Sequence, residues 1–446
     1  MQPTAPGVVR AGPKSPLRRP ARWLSLGRSR VHTMKTGPFV VGLLSVAPLL
    51  AGDWPQWRGS NRDGVWGETG TLETFPPEGL KVRWRAAIGG GISSPVVAQG
   101  RVYVTDALEE KPRAWERVHC FDQKTGAGLW EHSYEVDYLH NYGFKRDGKT
   151  GPYSTPIVEA GKLYSLGILG DVVCLDAVTG ALAWKKKLTK EYELGDFYTA
   201  PSLLIEGNLL ILVVGGKPDS CVIALDRNSG KEAWRALSDQ WTYGSPIVIT
   251  AGGQRQLIVW TPDAVTSLDP ATGKTWWRHP VKTLYSDATP VRDGGLLLVS
   301  GMMFQLDPDK PAVTQLWQRR FSDTSIPLLQ NGCVYADKSN GRLVCIDAKT
   351  EEQLWETDKV TDHQSGASIH LTPNGNSVLL FTNQGNLIRA RLTRQGYEEL
   401  GRFHLIDPTY TFGGRKVVWP APSYANRHVF VRSDDELVCA SLEAKP

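Results

Sequence analysis

One phrase, repeated along the chain, constrains the fold more than any other feature. An apolar strand ends in an apolar residue and Asp, a turn carries Thr-Gly or Ser-Gly, and a Trp follows. The phrase stands at residues 120–130, 174–184, 225–234, 268–277 and 345–355, the last with Glu351 in place of the Gly, and a sixth copy at 306–317 has lost its Gly. Asp and Gly are turn formers, so each copy predicts a β-hairpin whose trailing Trp wedges between neighbouring sheets.

A second phrase precedes each copy by roughly 20 to 30 residues, the span of two further strands. It is a small residue, Pro and an apolar run, then a Gly turn and another apolar run. It begins at Ser94-Pro, Thr155-Pro, Ala200-Pro, Ser245-Pro, Thr289-Pro, Ile326-Pro and Ala421-Pro, with a degenerate start near Ala367-Ser-Ile, which gives eight starts. Two hairpins per unit at a period near 45 residues predict an all-β chain, an eight-bladed β-propeller of four-stranded blades. Trp84, Trp130, Trp184, Trp234, Trp277, Trp317 and Trp355 are the expected docking residues, with Glu398-Glu-Leu standing in where a blade has no Trp. Trp84 precedes the first start, so its strand is expected to complete the last blade beside residues 437–442 and close the ring.

These residues resemble the quinoprotein (PQQ-like repeat) propellers, whose docking motif is Ala-x-Asp-x-x-x-Gly-x-x-x-Trp. The resemblance covers about residues 80–442, and the segment from Asp53-Trp-Pro-Gln-Trp-Arg-Gly looks like the mature start of secreted PQQ-like repeat proteins. It implies an eight-bladed fold whose members range from alcohol dehydrogenases to BamB-like non-catalytic scaffolds. Repeat identity fixes the fold and leaves the function open.

The formal charge of +5 does not describe the repeats. Residues 1–52 carry eight Lys and Arg and no acid; with those set aside, 43 Lys plus Arg face 46 Asp plus Glu, a net of −3. No nucleic-acid face follows from that balance. From Met34 the order is Met-Lys, an apolar run from Phe39 to Leu50, then Ala51-Gly52, which reads as a secretory signal peptide and is too short for a stable membrane span. Residues 1–33 read as a doubtful N-terminal extension, 34–52 as the signal, 53–79 as a lead segment and 80–446 as the propeller. The expected protein is periplasmic or secreted, and a monomer.

Six cysteines in an exported chain raise the possibility of disulfides. Cys120, Cys174 and Cys345 share one slot with Ala224 and Ser267 of other repeats, and Cys439 lies in the equivalent strand of the last blade, which favours a small buried packing position. There is no adjacent Cys pair, no haem-attachment motif, no zinc-ligand spacing and no nucleophile elbow. The family's calcium ligands and catalytic base find no matching motif. No catalytic, cofactor or metal residue is therefore assigned, and no cofactor is expected; PQQ with calcium, in a reduced quinoprotein alcohol dehydrogenase, is the alternative that the resemblance carries.

The informative slot lies three residues before the strand-opening Pro. It holds Tyr153, Tyr198, Tyr243 and Trp419, with Tyr285 close by. Pro imposes an extended approach, so these aromatics are expected to point alike and to ring the mouth of the channel on the top face. Asp196, Asp287, Asp323, His363 and Arg415 are the polar groups expected beside them. The longest interruptions of the repeat, 106–117 and 133–152, fall on the same side, as binding-face insertions do. The sequence thus points to a non-enzymatic scaffold binding a protein or carbohydrate-like ligand, with an envelope assembly subunit like BamB as a further alternative.

Overall fold

A computed structural model of the chain describes residues 52–138, 151–194, 199–281, 288–364 and 366–444. The stretches read as N-terminal extension and signal peptide lie outside the described residues, apart from Gly52. Eight antiparallel four-stranded blades form an eight-bladed propeller. The first blade comprises Val96–Ala98, Arg101–Glu110, Arg113–Asp122 and Gly128–Val136, and the next six follow the same order. Blade 3 carries an additional two-residue strand, Glu193–Leu194. Blade 8 is assembled from both parts of the chain. Ser423–Ala425, His428–Arg432 and Glu436–Ser441 receive Val82–Ala87 as their outer strand, with Trp84 opposite Cys439.

The repeated phrase forms the turn before each outer strand. Asp122 Oδ1 accepts hydrogen bonds from the Lys124 and Thr125 amides and the Thr125 hydroxyl at 2.8–3.0 Å, and Gly126 closes the turn at φ 73°. Asp176 and Asp226 repeat the arrangement. The Gly also serves the preceding blade. A Cβ on Gly126, Gly180, Gly230 or Gly273 would fall 2.6–2.8 Å from Trp84, Trp130, Trp184 or Trp234 respectively, so the bare turn is the surface on which each indole lies. Each indole N–H then donates to a carbonyl of the same turn: Gln123, Ala177, Arg227 and Pro270. Trp317 and Trp355 donate likewise to Ala348 and Thr393.

Trp277 differs. The next blade's turn has no Gly, and its Trp317 follows Asp307 by ten positions where the other copies have eight. Against this longer turn the Trp277 indole donates to Gln256 Oε1 of its own blade, whereas Trp317 still reaches Ala348 of a turn of ordinary length that has Glu351 in place of Gly. In blade 7 the slot is held by Gly401, opposite Arg389, and Phe75 of the lead segment packs over it.

The cysteine slot is the direct cross-strand partner of the docking Trp: Cys120 faces Trp130, Cys174 faces Trp184, Cys345 faces Trp355, and Ala224 and Ser267 face Trp234 and Trp277. A bulge follows it in each of these pairs, and the wide indole leaves room only for a small neighbour. All six cysteines are free and buried, and burial pushes the Cys120 thiol up to about 12.

The lead segment packs against the inner strands along the propeller axis. Trp54 bridges Val97 of blade 1, Pro55 accepts the Val158 amide of blade 2, and Trp57 donates to Thr289 before blade 5. Arg62 donates to the carbonyls of Leu203 and Pro246, and the Trp66 amide reaches Pro373 of blade 7. The lead segment thus reaches inner strands, or the approaches to them, in blades 1 to 5 and 7.

Candidate ligand-binding face

Connections between blades and the turns joining second to third strands share one face, called the top; the Asp-Gly turns share the other. The interruption at 106–117 is a continuation of the blade 1 hairpin, paired out to Glu110 opposite Arg113, with the Lys111-Pro112 turn at its tip. Its root is rigid. Asp106 is fully buried and accepts two bonds from Arg117 at 2.7 and 2.8 Å, with His119 2.9 Å away. Burial works to raise Asp106, and His119 and Arg117 overcome it, holding the carboxyl well below the usual carboxylate range. Of the interruption 133–152, the outer strand runs on to Val136, and residues 139–150 lie outside the described residues.

Two groups of aromatics stand on this face. Tyr153 and Tyr243, expected together from their shared register, are brought to 6.1 Å between ring centroids, and Trp241 meets Tyr243 edge-on at 5.0 Å. All three rings are partly open. Trp419 belongs to a separate cluster with Tyr410 at 4.9 Å and Phe412 at 4.8 Å. Those two lie on a short hairpin, Tyr410–Phe412 with Arg415–Val417, turned by Gly413-Gly414 at φ 57° and 81°. Phe412 is 36% exposed. Arg415 is ion-paired with Asp362, which ties this hairpin to the approach of blade 7, and Gly366 leaves space for the Phe412 ring.

Beneath Trp419, its carbonyl oxygen accepts a bond from His370 Nε2 at 2.8 Å. Burial pushes His370 down to about 4, so the ring is neutral near pH 7 and Nε2 carries the hydrogen. Asp323 is paired with Arg320 at 3.0 Å, and His363 Nε2 lies 3.1 Å from the Asp358 carbonyl, so each is engaged locally. Tyr198, Tyr285, Asp196 and Asp287 lie outside the described residues.

Sequence reasoning did not find Trp241, Tyr410, Phe412 or Asp362. The 410–417 hairpin carried a usable signal in Gly-Gly between apolar runs, which favours a two-residue turn. It stands outside the repeat, and repeat counting passed over it.

The family model for outer membrane protein assembly factor BamB matches residues 114–357 and 262–398. BamB from Xanthomonas campestris is 38% identical over 113 residues, 24% of this chain and 27% of that protein. Quinohemoprotein alcohol dehydrogenase from Comamonas testosteroni is 27% identical over 149 residues, 33% of this chain and 20% of that enzyme. The aligned stretches thus span well under two-thirds of either relative. The crystal structure of BamB from Moraxella catarrhalis superposes with a TM-score of 0.57 at 15% identity, covering 82% of this chain and 99% of that one. The Comamonas dehydrogenase structure gives 0.63 at 14% identity, covering 89% and 81%. The two structural likenesses establish the propeller alone, whereas the family model matches more than half of the residues. The chain belongs to the BamB family of PQQ-like repeat propellers.

Proposed function

We propose that this protein is a non-enzymatic extracytoplasmic scaffold that binds a protein or glycan-like ligand through its top face. The observation that carries the reading is the partly open cluster of Trp419, Tyr410 and Phe412 beside the Arg415–Asp362 pair, on a hairpin outside the repeat. Aromatic faces with a charged pair at their edge suit stacking on a sugar or on an inserted side chain.

A bound cofactor has weaker support. Calcium requires several converging oxygen ligands. Among the described residues no three His, Cys, Asp or Glu converge in that way. The test compares wild type with Phe412→Ala and Tyr243→Ala against a glycan array and against envelope proteins crosslinked and identified. Binding of one defined ligand that falls at least about tenfold in either variant, about 1.4 kcal/mol, with melting unchanged, supports the proposal. Quinone absorbance retained through gel filtration after addition of PQQ and calcium, with dye-linked alcohol oxidation, overturns it.

A further inference from the structure

Two neighbouring arginines of the lead segment, Arg58 and Arg62, contact other parts of the propeller, and among the described residues neither has a carboxylate within ion-pairing distance. Arg58 donates to the Asp63 carbonyl at 2.7 Å and to the Arg62 carbonyl at 3.4 Å. Arg62, 7% exposed, donates to the Leu203, Ser202 and Pro246 carbonyls and to Gln56 Oε1. Every acceptor is neutral. Burying an unpaired cation is costly, and nature normally supplies an anion or a route to water. Desolvation lowers both groups: it pushes the buried Arg62 down to about 9, where the neighbouring Arg58 charge adds to the effect, and the partly exposed Arg58 to about 10, against the pull of the nearby Asp63 charge.

A small cavity adjoins Arg58. It is walled by Trp54, Trp57, Ser94, Ile326, His370 and Thr372, and offers about 20 Å³, room for one water-sized species. Gly64 forms part of the wall, and a Cβ there would come within 2.7 Å of Arg58 Nη2, so the guanidinium lies against bare backbone. A second observation points into the same space. Ser94 is 3% exposed, lines the cavity, and its Oγ has no hydrogen-bond partner. A cation and an unsatisfied hydroxyl donor thus meet at a void, while His370 directs its Nε2–H away to Trp419.

We propose that this axial cavity binds one small monovalent anion of the halide class, held by the Arg58 guanidinium and the Ser94 hydroxyl. The narrow space suits a small ion, and the donors select negative charge over a cation. Such an ion would neutralise the axis and fasten the lead segment to blades 1, 6, 7 and 8, whose residues wall the cavity. Thr372 faces the same cavity and completes the polar side of its wall.

The experiment uses the full chain. Crystals soaked in sodium bromide are measured at the bromine edge, and melting is followed in sodium bromide against sodium gluconate at equal ionic strength, gluconate being too large for the cavity. The expected result is an anomalous peak between Arg58 and Ser94 and a bromide-specific rise in melting temperature of about 2 °C. Ser94→Ala, which removes one hydroxyl at a site that tolerates a small residue, is expected to abolish most of that rise while remaining folded; Arg58→Lys, which keeps the charge, is expected to retain part of it. A peak with no bromide-specific stabilisation marks an adventitious ion only, and overturns the proposal. So does the absence of a peak, or an unchanged response in Ser94→Ala.

Discussion

The joint between blades 3 and 4 and the joint between blades 4 and 5 place the same residue type in the same register, yet only one of the two indoles lies on the turn of the next blade. Trp234, 9% exposed, lies on Gly273 of the next blade and donates to Pro270. Trp277 meets a longer turn without Gly and turns its indole to Gln256 of its own sheet. At that joint backbone takes over. Gly252 of blade 4 lies so close to Lys310 of blade 5 that a Cβ would fall 2.0 Å from the carbonyl oxygen. The indole therefore does not define a docked joint by itself. A glycine receives it at four joints, where a residue lacking Cβ gives a flat surface at positive φ, whereas Trp317 donates to Ala348 of a turn that has Glu351 at φ 65° in the glycine's place.

This comparison breaks most readily at the tryptophans themselves. Trp234→Ala is expected to lose about 4 kcal/mol in denaturant unfolding, and Trp277→Ala about 1–2 kcal/mol, since the latter removes less inter-blade packing. Equal losses would show that the turn contact is immaterial. Gly273→Ala comes next, at about 3 kcal/mol from positive φ plus a clash with the indole, against about 1 kcal/mol for Gly253→Ala, where φ is 69° and a Cβ meets open space. Similar losses at the two glycines would reduce the first to backbone strain alone.

A third kind of joint sharpens the contrast through pH. Between blades 6 and 7, Asp337 accepts a bond from the Ser325 hydroxyl at 2.9 Å, and Ser325 Oγ accepts the Ile369 amide at 3.0 Å. Burial pushes Asp337 up to about 7 from 3.8, against the pull of Ser325. The folded protein therefore holds a proton that the unfolded chain releases above about pH 4. The stability this contributes is complete below the unfolded value and is lost as pH rises through 7. Wild type is expected to lose about 2 kcal/mol between pH 5 and 8 relative to Asp337→Asn in parallel urea titrations; a flat difference would mean that the carboxyl is already ionised at pH 5. The smallest effect belongs to the slot facing the indole. Cys120→Ala is expected to cost about 1 kcal/mol, with all six thiols unlabelled by a maleimide until the chain unfolds.

The blades were legible because their physics is local and recurs. Asp, Thr and Gly close one turn with their own atoms, and the alternation of strand residues follows from the pleat. Even the lengthened, Gly-free turn of the sixth copy was visible, although the different partner of Trp277, a residue of the preceding blade, was not. The axial segment was illegible for the opposite reason. Arg62 is held by main-chain carbonyls of two different blades, and main-chain acceptors leave no mark in a sequence. The aromatic register was read for Tyr153 and Tyr243, which meet, and the hairpin that gathers Tyr410 and Phe412 onto Trp419 follows no repeat.

Blade 8 takes its outer strand from residues 82–87 and its other three from 423–441. Every other blade is contiguous in sequence and can pair its strands as soon as it has been made. This one joins positions more than 300 apart, so its loop-closure entropy is met only once nearly the whole chain is present. Until then residues 82–87 and the inner hairpin of blade 8 both present open edges, the kind of surface on which unfinished chains associate with one another. The ring thus has a built-in order of completion: seven sheets that can form in sequence, and an eighth that waits for residues 423–441 to reach residues 82–87.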